Sequence, residues 1–395
     1  MSQFDLVVER KNSFSVKWDM MEQVYTIPDA SNILPMWVAD MDFKAPPSVI
    51  DAMQSRLEDG VFGYSFVSES CKAAIVNWHQ TEHNWTIDPK KMIFHHGVVP
   101  AIAAIVETFT SVGDPVAIMS PVYPPFFAVP EKLERDVLYA PMDEKNGIYS
   151  LNIANLEQTF KDGAKLFILC NPHNPAGVVW KKDDLQQIIA LAIKYDVVIL
   201  SDEIHGDLVL PGAKHIPLLS LEGAEAAKII STIAPTKTFN LAGVQAAMMI
   251  ASNNELFKQL QLHAEKYGYA SINVFAAAAV ESAYTNCRDW LVELKQYVLT
   301  NMQYVEQQLN ALPGIHVHIP EGTYLMWIDY RELKIEEKEM MRLLLEVGQV
   351  ALEPGTKYGE NGRGFLRINI GCSFKTVQDG IERFKRAYDA VYADR

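Results

Sequence analysis

The chain has 395 residues, of which 49% are hydrophobic and 21% are charged, as expected of a globular protein with a large buried core. Its net charge of −14, from 49 acidic and 35 basic residues, argues against nucleic-acid binding, which requires a basic face. The sequence shows no secretory-signal pattern and no apolar run of the roughly 20 residues that span a membrane, so we expect a cytoplasmic protein without a membrane partner.

The N-terminal part of the chain is predicted to be an arm followed by a large domain. Residues 1–45 are expected to be extended and to pack on a smaller domain, whereas residues 46–290 alternate helical and strand patterns. Predicted strands lie at 92–94, 115–119, 165–170, 197–201, 228–233 and 246–251. Because continuous apolar strands that alternate with helices are buried on both faces, we predict an α/β fold with a mostly parallel sheet.

The pattern changes near residue 291. A long helix to Leu309 is followed by strand-like segments and by a closing helix from Thr376. The predicted strands here are 314–318, 323–330 and 365–371. Residues 291–395 are therefore predicted to form a smaller α+β domain.

Three chemically active residues follow predicted strands of the large domain. Asn174 lies in a turn, Asp202 ends an apolar strand 28 positions later, and Lys237 lies 35 positions after Asp202. Because ligands of parallel sheets collect at the carboxyl ends of strands, we expect these side chains to meet. A lysine that forms a Schiff base, a carboxylate that keeps a pyridine nitrogen protonated and an amide that reaches the ring 3′-oxygen are what a pyridoxal 5′-phosphate (PLP) site requires.

The same strand ends offer groups for the rest of the cofactor. Gly97, Val98 and Val99 lie between a strand and a helix, where backbone N–H groups can turn toward a phosphate. Thr236, next to the lysine, could add a hydroxyl donor, and Tyr123 lies in a proline-rich turn from which it could stack on a pyridine ring. An ordinary turn between strand and helix is the alternative for the glycine, and simple packing is the alternative for the tyrosine.

Arg367 lies within an otherwise apolar strand and therefore needs an anion. Its planar guanidinium suits two-point contact with a substrate α-carboxylate. A structural salt bridge is the alternative.

One metal-like pattern is discounted. His79, Glu82 and His83 match the H-x-x-E-H arrangement of some zinc proteases, but no third ligand is evident in the sequence. We interpret the pair as exposed histidines near a helix end, and we predict no metal site.

Taken together, the motifs resemble those of fold-type I PLP enzymes of the aspartate aminotransferase superfamily over nearly the full chain. The closer resemblance is to the MalY/PatB group of cystathionine β-lyases, also called C–S lyases. The segments that carry it are residues 34–43, 62–64, 170–177, 201–205, 237–243, 321–327 and 367–372. Residues 37–43 are the most specific to that group.

The resemblance implies a role for each candidate around the cofactor. Lys237 would be the Schiff-base lysine, Asp202 the pyridine partner and Asn174 the partner of the 3′-oxygen. Tyr123 would stack on the ring, and His205 would add a cofactor contact.

It also implies a substrate site and a homodimer with shared active sites. Arg367 would bind the substrate carboxylate, with Trp37 and Asn174 as further substrate contacts. Tyr64 would act at the partner subunit's cofactor. Ala234 and Gln245 depart from the serine and arginine of many aminotransferases, so fewer side chains are expected to hold the phosphate.

The implied activity is α,β-elimination by a PLP-dependent carbon–sulfur β-lyase of amino-acid metabolism. A small sulfur amino acid such as L-cystathionine or L-cysteine would yield a thiol, pyruvate and ammonia. An aminotransferase with the same residues is the main alternative, because the two reactions diverge only after the α-proton is removed. A regulatory protein on a PLP-enzyme scaffold is a second alternative; the DNA-binding or interaction segment expected of it is not visible in the sequence.

Overall fold

The computed structural model describes residues 2–269 and 271–393. Its α-helices are α1 Val16–Asp19, α2 Met21–Tyr25, α3 Pro47–Glu58, α4 Glu69–His83, α5 Val98–Phe109, α6 Pro125–Lys132, α7 Ile153–Lys161, α8 Lys182–Tyr195, α9 Asn254–Tyr267, α10 Val274–Asn286, α11 Arg288–Leu309, α12 Glu337–Arg342 and α13 Phe374–Ala393. Its strands are β1 Leu34–Pro35, β2 Met92–His95, β3 Pro115–Ser120, β4 Asp136–Pro141, β5 Asp143–Lys145, β6 Ile148–Ser150, β7 Leu166–Cys170, β8 Val198–Asp202, β9 Ile229–Ile233, β10 Ala247–Ala251, β11 His316–Val317, β12 Leu325–Asp329, β13 Val350–Ala351, β14 Glu353–Pro354 and β15 Phe365–Asn369. A π-helical turn, Leu343–Gly348, follows α12.

The central element is a seven-stranded sheet in the order β2-β10-β9-β8-β7-β3-β4. Strand β10 runs antiparallel to both of its neighbours, and the other pairings are parallel. Strands β2, β3, β7, β8 and β9 therefore end at the same edge of the sheet. The prediction of a mostly parallel α/β sheet is confirmed.

Both faces of this sheet are buried, because alternate residues of each apolar strand point to opposite sides. On one side Ile118 and Ile168 pack in a cluster with Ile102 of α5. On the other side Phe167 and its neighbours pack in a cluster with residues of α7 and α8. The sheet is thereby fixed between two helical layers, and its carboxyl edge is held rigid.

A second, antiparallel sheet is formed by the C-terminal part of the chain in the order β11-β12-β15-β14. Its apolar face packs with residues of α11 and α13 in the largest core cluster. The early strand β1 pairs in parallel with β13, which ties the N-terminal segment to this region. The domain boundaries given above remain a prediction.

The N-terminal segment was expected to be extended, but it contains the short helices α1 and α2, so that expectation was wrong. The sequence prediction also left out some elements. Strand β4 and the hairpin β5–β6 have short, partly polar sequences with little periodicity. The predicted strand 314–318 is paired only over His316–Val317. Among the described residues, no helix is both long enough and apolar enough to cross a membrane.

Candidate active site

The predicted site residues converge on one cavity at the carboxyl edge of the large sheet. It has a volume of about 200 Å³. The sequence candidates on its wall are Gly97, Val98, Val99, Tyr123, Asn174, Asp202, His205, Thr236 and Lys237. Parallel strands bring them together, since several strand ends deliver side chains to the same edge.

Lys237 follows β9 and lies on the cavity wall. Its Nζ donates a hydrogen bond of 2.6 Å to the carbonyl oxygen of Ala39, which also accepts one of 2.8 Å from the Tyr324 hydroxyl. Desolvation lowers the pKa of Lys237 to about 8, although the negative charge of Asp40 opposes the shift. A minor fraction of such an amine is unprotonated near neutral pH, and this form can act as a nucleophile or a base.

Asp202 ends β8 as a buried carboxylate. Its Oδ1 accepts weak hydrogen bonds from the backbone N–H of Ile204 at 3.2 Å and from the hydroxyl of Thr232 at 3.3 Å. Within residues 2–269 and 271–393, no cationic side chain forms an ion pair with it. Burial raises the pKa of Asp202 to about 7. The carboxylate therefore suits a cationic group bound in the cavity, and a protonated pyridine nitrogen is such a group.

One end of the cavity is suited to an anion. Helix α5 begins at Val98, and Gly97 before it has φ +131°, a conformation that favours glycine. The first N–H groups of a helix have no intrahelical partner and carry partial positive charge. Thr236 is buried on the same wall, and its hydroxyl has no hydrogen-bond partner in the part of the chain that the structure describes.

Three further side chains shape the middle of the cavity. The Asn174 side-chain oxygen accepts a hydrogen bond of 3.1 Å from Arg367 Nη1, which leaves its N–H₂ group free to donate elsewhere. Burial lowers the pKa of His205 to about 3, so this imidazole is neutral. Burial raises the pKa of Tyr123 to about 12, so its hydroxyl stays protonated.

Arg367 lies on β15, buried behind Asn174 rather than on the cavity wall. Its Nη2 pairs with Glu353 at 2.7 Å and donates to the Trp37 carbonyl oxygen at 2.8 Å. Its Nε has no hydrogen-bond partner among the described residues. The salt bridge that the sequence left as an alternative is therefore present, and one buried donor remains unsatisfied. The substrate-binding role of Arg367 remains a prediction.

Two sequence candidates lie away from the wall of this cavity. Trp37 is buried, and its indole Nε1 donates to the carbonyl oxygen of Lys17 at 2.9 Å, so only its own carbonyl contacts Arg367. Tyr64 is fully exposed in a segment that belongs to neither a helix nor a strand. Neither side chain lines the cavity of its own chain, and their predicted roles remain untested.

Some residues of the site were missed from the sequence. The Ala39 carbonyl contacts the lysine amine, and Glu353 pairs with Arg367. His96, next to the predicted phosphate turn, and Gln245, named above only as a departure from the aminotransferase pattern, also line the cavity. An acidic residue directly after the apolar run 350–352 could have signalled Glu353, whereas a backbone carbonyl carries no sequence signal.

The histidine pair was interpreted wrongly as exposed. His79 is buried, and His83 is largely buried and pairs with Asp207 at 2.7 Å. The His79 ring packs against Trp85 and Tyr284, and the His83 ring lies against Asp207 and His215 of the segment after β8. Among the described residues, no group of three or more His, Cys, Asp or Glu side chains is arranged to hold a metal.

The sequence and the structure are similar to those of known proteins over nearly the full chain. The family model for aminotransferases of class I and II matches residues 31–384. Cystathionine beta-lyase PatB of Bacillus subtilis is 41% identical over 386 residues, covering 97% of this chain and 99% of that protein. Protein MalY of Escherichia coli K12 is 32% identical and covers 99% of this chain and 100% of its own. Cystalysin from Treponema denticola, whose crystal structure contains a pyridoxal 5′-phosphate cofactor, has a TM-score of 0.94 at 34% identity, with 98% of each chain covered.

Proposed function

Because this chain belongs to the aminotransferase class I and II family, we propose that it is a PLP-dependent carbon–sulfur β-lyase. It takes a small sulfur amino acid such as L-cystathionine or L-cysteine. With one water consumed, the products are a thiol, pyruvate and ammonia. The 41% identity to a cystathionine beta-lyase over nearly the whole of both chains favours this reaction over transamination.

One observation carries the assignment of the cofactor. A lysine amine and a buried carboxylate without a cationic partner face the same cavity. Lys237 would bond to the cofactor aldehyde, and Asp202 would hold the protonated ring nitrogen. Gly97, Val98 and Thr236 would hold the phosphate. The donor set thus fits PLP at both of its charged ends.

The remaining wall residues hold the ring. Asn174 would donate its amide N–H to the ring 3′-oxygen, because its oxygen is already occupied by Arg367. Tyr123 would stack on the ring, and the neutral His205 would pack beside it.

The chemistry needs a base at the substrate α-carbon. When bound, PLP withdraws electrons from that carbon and makes its proton acidic. The substrate amine would first replace Lys237 at the cofactor aldehyde carbon, and the freed Lys237 amine would then remove this proton, because desolvation keeps a fraction of it unprotonated at neutral pH. The resulting ammonium can return the proton to the departing sulfur, so one side chain serves both steps.

Arg367 would orient the substrate through its carboxylate. Its buried Nε has no partner among the described residues, and its Nη groups are held by Glu353, Trp37 and Asn174. A guanidinium fixed in this way can meet a carboxylate with little loss of side-chain entropy. Trp37 would contribute through its carbonyl, which holds Arg367.

We further propose a cytoplasmic homodimer with shared sites. The segment around Tyr64 exposes apolar side chains that a single chain leaves in water: Val61 is 72% exposed, Phe62 54% and Phe66 82%. Ile50 and Leu57 of α3 are also exposed. Exposed apolar side chains of this kind favour association, and Tyr64 would then reach the partner subunit's cavity. Free cysteines throughout the chain fit a reducing compartment.

The test is continuous pyruvate release from L-cystathionine by the purified, PLP-loaded protein without any keto acid. A lyase keeps producing pyruvate, ammonia and homocysteine through many turnovers. If pyruvate stops at about one equivalent per site and resumes with an added keto acid, the protein is an aminotransferase. If no thioether or keto acid is turned over while PLP binds, the enzymatic proposal fails and a regulatory role on this scaffold is favoured.

A further inference from the structure

The segment 37–43 forms a cradle of backbone carbonyl groups around the site. The Trp37 carbonyl accepts a hydrogen bond from Arg367 at 2.8 Å, and the Ala39 carbonyl accepts one from Lys237 at 2.6 Å. The carbonyl groups between and beyond them are also occupied, by Asn369, Asn240 and the N-terminal arm. The backbone of one short segment thus contacts both the proposed base and the proposed carboxylate-binding arginine.

An ionic clasp from the N-terminal arm fixes this cradle. Arg10 pairs with Asp40 at 2.8 Å and with Asp42 at 2.6 Å. Lys17, which is only 1% exposed, pairs with Asp42 at 2.7 Å and accepts the Trp37 indole N–H through its carbonyl. Two cations of the arm are thereby paired with two carboxylates that lie one and three residues after Ala39, whose carbonyl contacts Lys237.

We propose that Arg10 is a positioning residue that, through Asp40 and Asp42, holds the Ala39 carbonyl where it orients the Lys237 amine for proton removal. The inference rests on the proposed function of Lys237 as the base. A neutral amine has two N–H groups and one lone pair, so a hydrogen bond to Ala39 restricts rotation about the Cε–Nζ bond. The lone pair then points in a fixed direction, and positioning of this kind governs the rate of proton transfer.

The clasp also sets the charge around the amine. The charged or titratable groups that face Lys237 are Asp40, Asp202, His205, Tyr324 and Arg367. Asp40 in turn faces Arg10, and Lys17 lies 3.9 Å away. Removing Arg10 leaves the negative charge of Asp40 less compensated, and this favours the charged form of Lys237. Removing the Asp40 charge does the opposite.

The experiment compares Arg10→Met and Asp40→Asn with the unmodified protein. Cofactor-free protein is mixed with PLP at a series of pH values between about 6 and 10. The rate at which the visible absorbance of lysine-bound cofactor increases is measured at each pH, since only the unprotonated amine reacts. The midpoint, which is the pH at which this rate is half of its maximum, should rise in Arg10→Met and fall in Asp40→Asn. With L-cystathionine, kcat of the loaded Arg10→Met protein should fall by about tenfold or more, and Arg10→Lys should restore part of the loss.

Lys11→Met is the matched control. Lys11 lies on the same arm, but its amine contacts the Ser31 carbonyl instead of the cradle, so both readouts should be unchanged. Midpoint shifts of the same sign in Arg10→Met and Asp40→Asn, or unshifted midpoints with a normal kcat, overturn the proposal. Should Arg10→Met not fold, kcat of Asp40→Asn takes its place, because Arg10 is proposed to act through Asp40: an unchanged kcat with L-cystathionine then overturns the proposal.

The cofactor-binding readout separates this inference from the proposed function. If the unmodified protein bonds PLP but releases no pyruvate, the lyase assignment fails while the midpoint comparison remains valid. If neither the midpoints nor kcat change in variants of a protein that is an active lyase, the positioning role of Arg10 fails alone.

Discussion

Two buried carboxylates on one short stretch of chain have opposite surroundings. Asp207 accepts hydrogen bonds from the Trp78 indole at 2.9 Å, from His83 at 2.7 Å and from the Thr238 hydroxyl at 3.0 Å. Asp202, on the cavity side, has only two weak ones and no ion pair in the described part of the chain.

This difference shows in the proton affinities of the two groups. Burial raises the pKa of Asp202 to about 7. Burial would also raise the pKa of Asp207, but the hydrogen bonds and the charge of His83 outweigh it and lower that pKa. The scaffold behind the site satisfies its buried charge internally, whereas the cavity side leaves a charge for a ligand to complete.

Replacing Lys237 tests the cavity side most strongly. Lys237→Ala should lower turnover of L-cystathionine by about a thousandfold or more, because it removes the base. The protein should still fold and bind PLP without a covalent bond, which visible spectra and circular dichroism would check. Lys228→Ala, at a surface lysine paired with Asp196, is the control and should keep full activity. Turnover that survives in Lys237→Ala contradicts the central assignment.

The two carboxylates themselves give the second prediction, measured as urea unfolding of the cofactor-free protein. Asp207→Asn should lower the free energy of unfolding by about 3 kcal/mol, because it breaks a buried, hydrogen-bonded pair. Asp202→Asn should lower it little, yet it should weaken PLP binding.

The pH dependence of the unfolding free energy tests Asp202 further. A carboxyl group whose pKa is raised to about 7 on folding stabilises the fold at low pH, and this stability is lost as pH rises from about 4 through about 7. Cofactor-free protein should show that loss, and Asp202→Asn should not. Equal pH profiles for the two would show that Asp202 is satisfied without a ligand.

The third prediction concerns Arg367, whose ion pair with Glu353 could serve the scaffold, the substrate site or both. Arg367→Leu should raise KM for the amino acid by about 10- to 100-fold, the value of a charge-assisted contact, while PLP affinity changes little. Because the change leaves Glu353 without its arginine, the double variant Arg367→Leu/Glu353→Gln controls for lost stability. An equal loss of PLP affinity, or an unchanged KM, would make the pair with Glu353 purely structural.

The smallest expected effect concerns Tyr64. Tyr64→Ala should lower activity by about tenfold, without changing the unfolding of the isolated chain, because the side chain is fully exposed. Mixing Tyr64→Ala with Lys237→Ala subunits should restore some activity, since one site of each hybrid dimer has both residues intact. Verified hybrids that are no more active than the Tyr64→Ala protein would exclude a shared site.

Sequence analysis predicted the parts of the molecule that depend on local pattern. The apolar strands of the large sheet and the residues after them could be read because parallel topology fixes where strand ends meet. The gathering of Asn174, Asp202 and Lys237 at one cavity follows from that rule. Strand β4 and the hairpin β5–β6 could not be read, since their residues are held by tertiary pairing rather than by periodicity.

Contacts between residues that are far apart in the sequence could not be predicted either. Arg367 could be recognised as a buried cation, but its partner Glu353 lies on another strand, paired by register. His79 and His83 were taken for surface residues because a helix end is usually exposed; the segment after β8 covers them here. Which partner a buried polar group finds is decided by packing between distant segments.

The buried cysteines have a consequence for an enzyme that releases thiols. Cys71, Cys170, Cys287 and Cys372 are all free and buried, and burial raises the pKa of each. Cys170 lies on the cavity wall itself and donates its S–H to the Pro172 carbonyl. Because thiolates, not thiols, exchange with disulfides, a raised pKa slows the exchange of these side chains with disulfides at neutral pH. The burial that packs the cysteines into the core therefore also lowers their reactivity toward oxidised forms of the proposed thiol product.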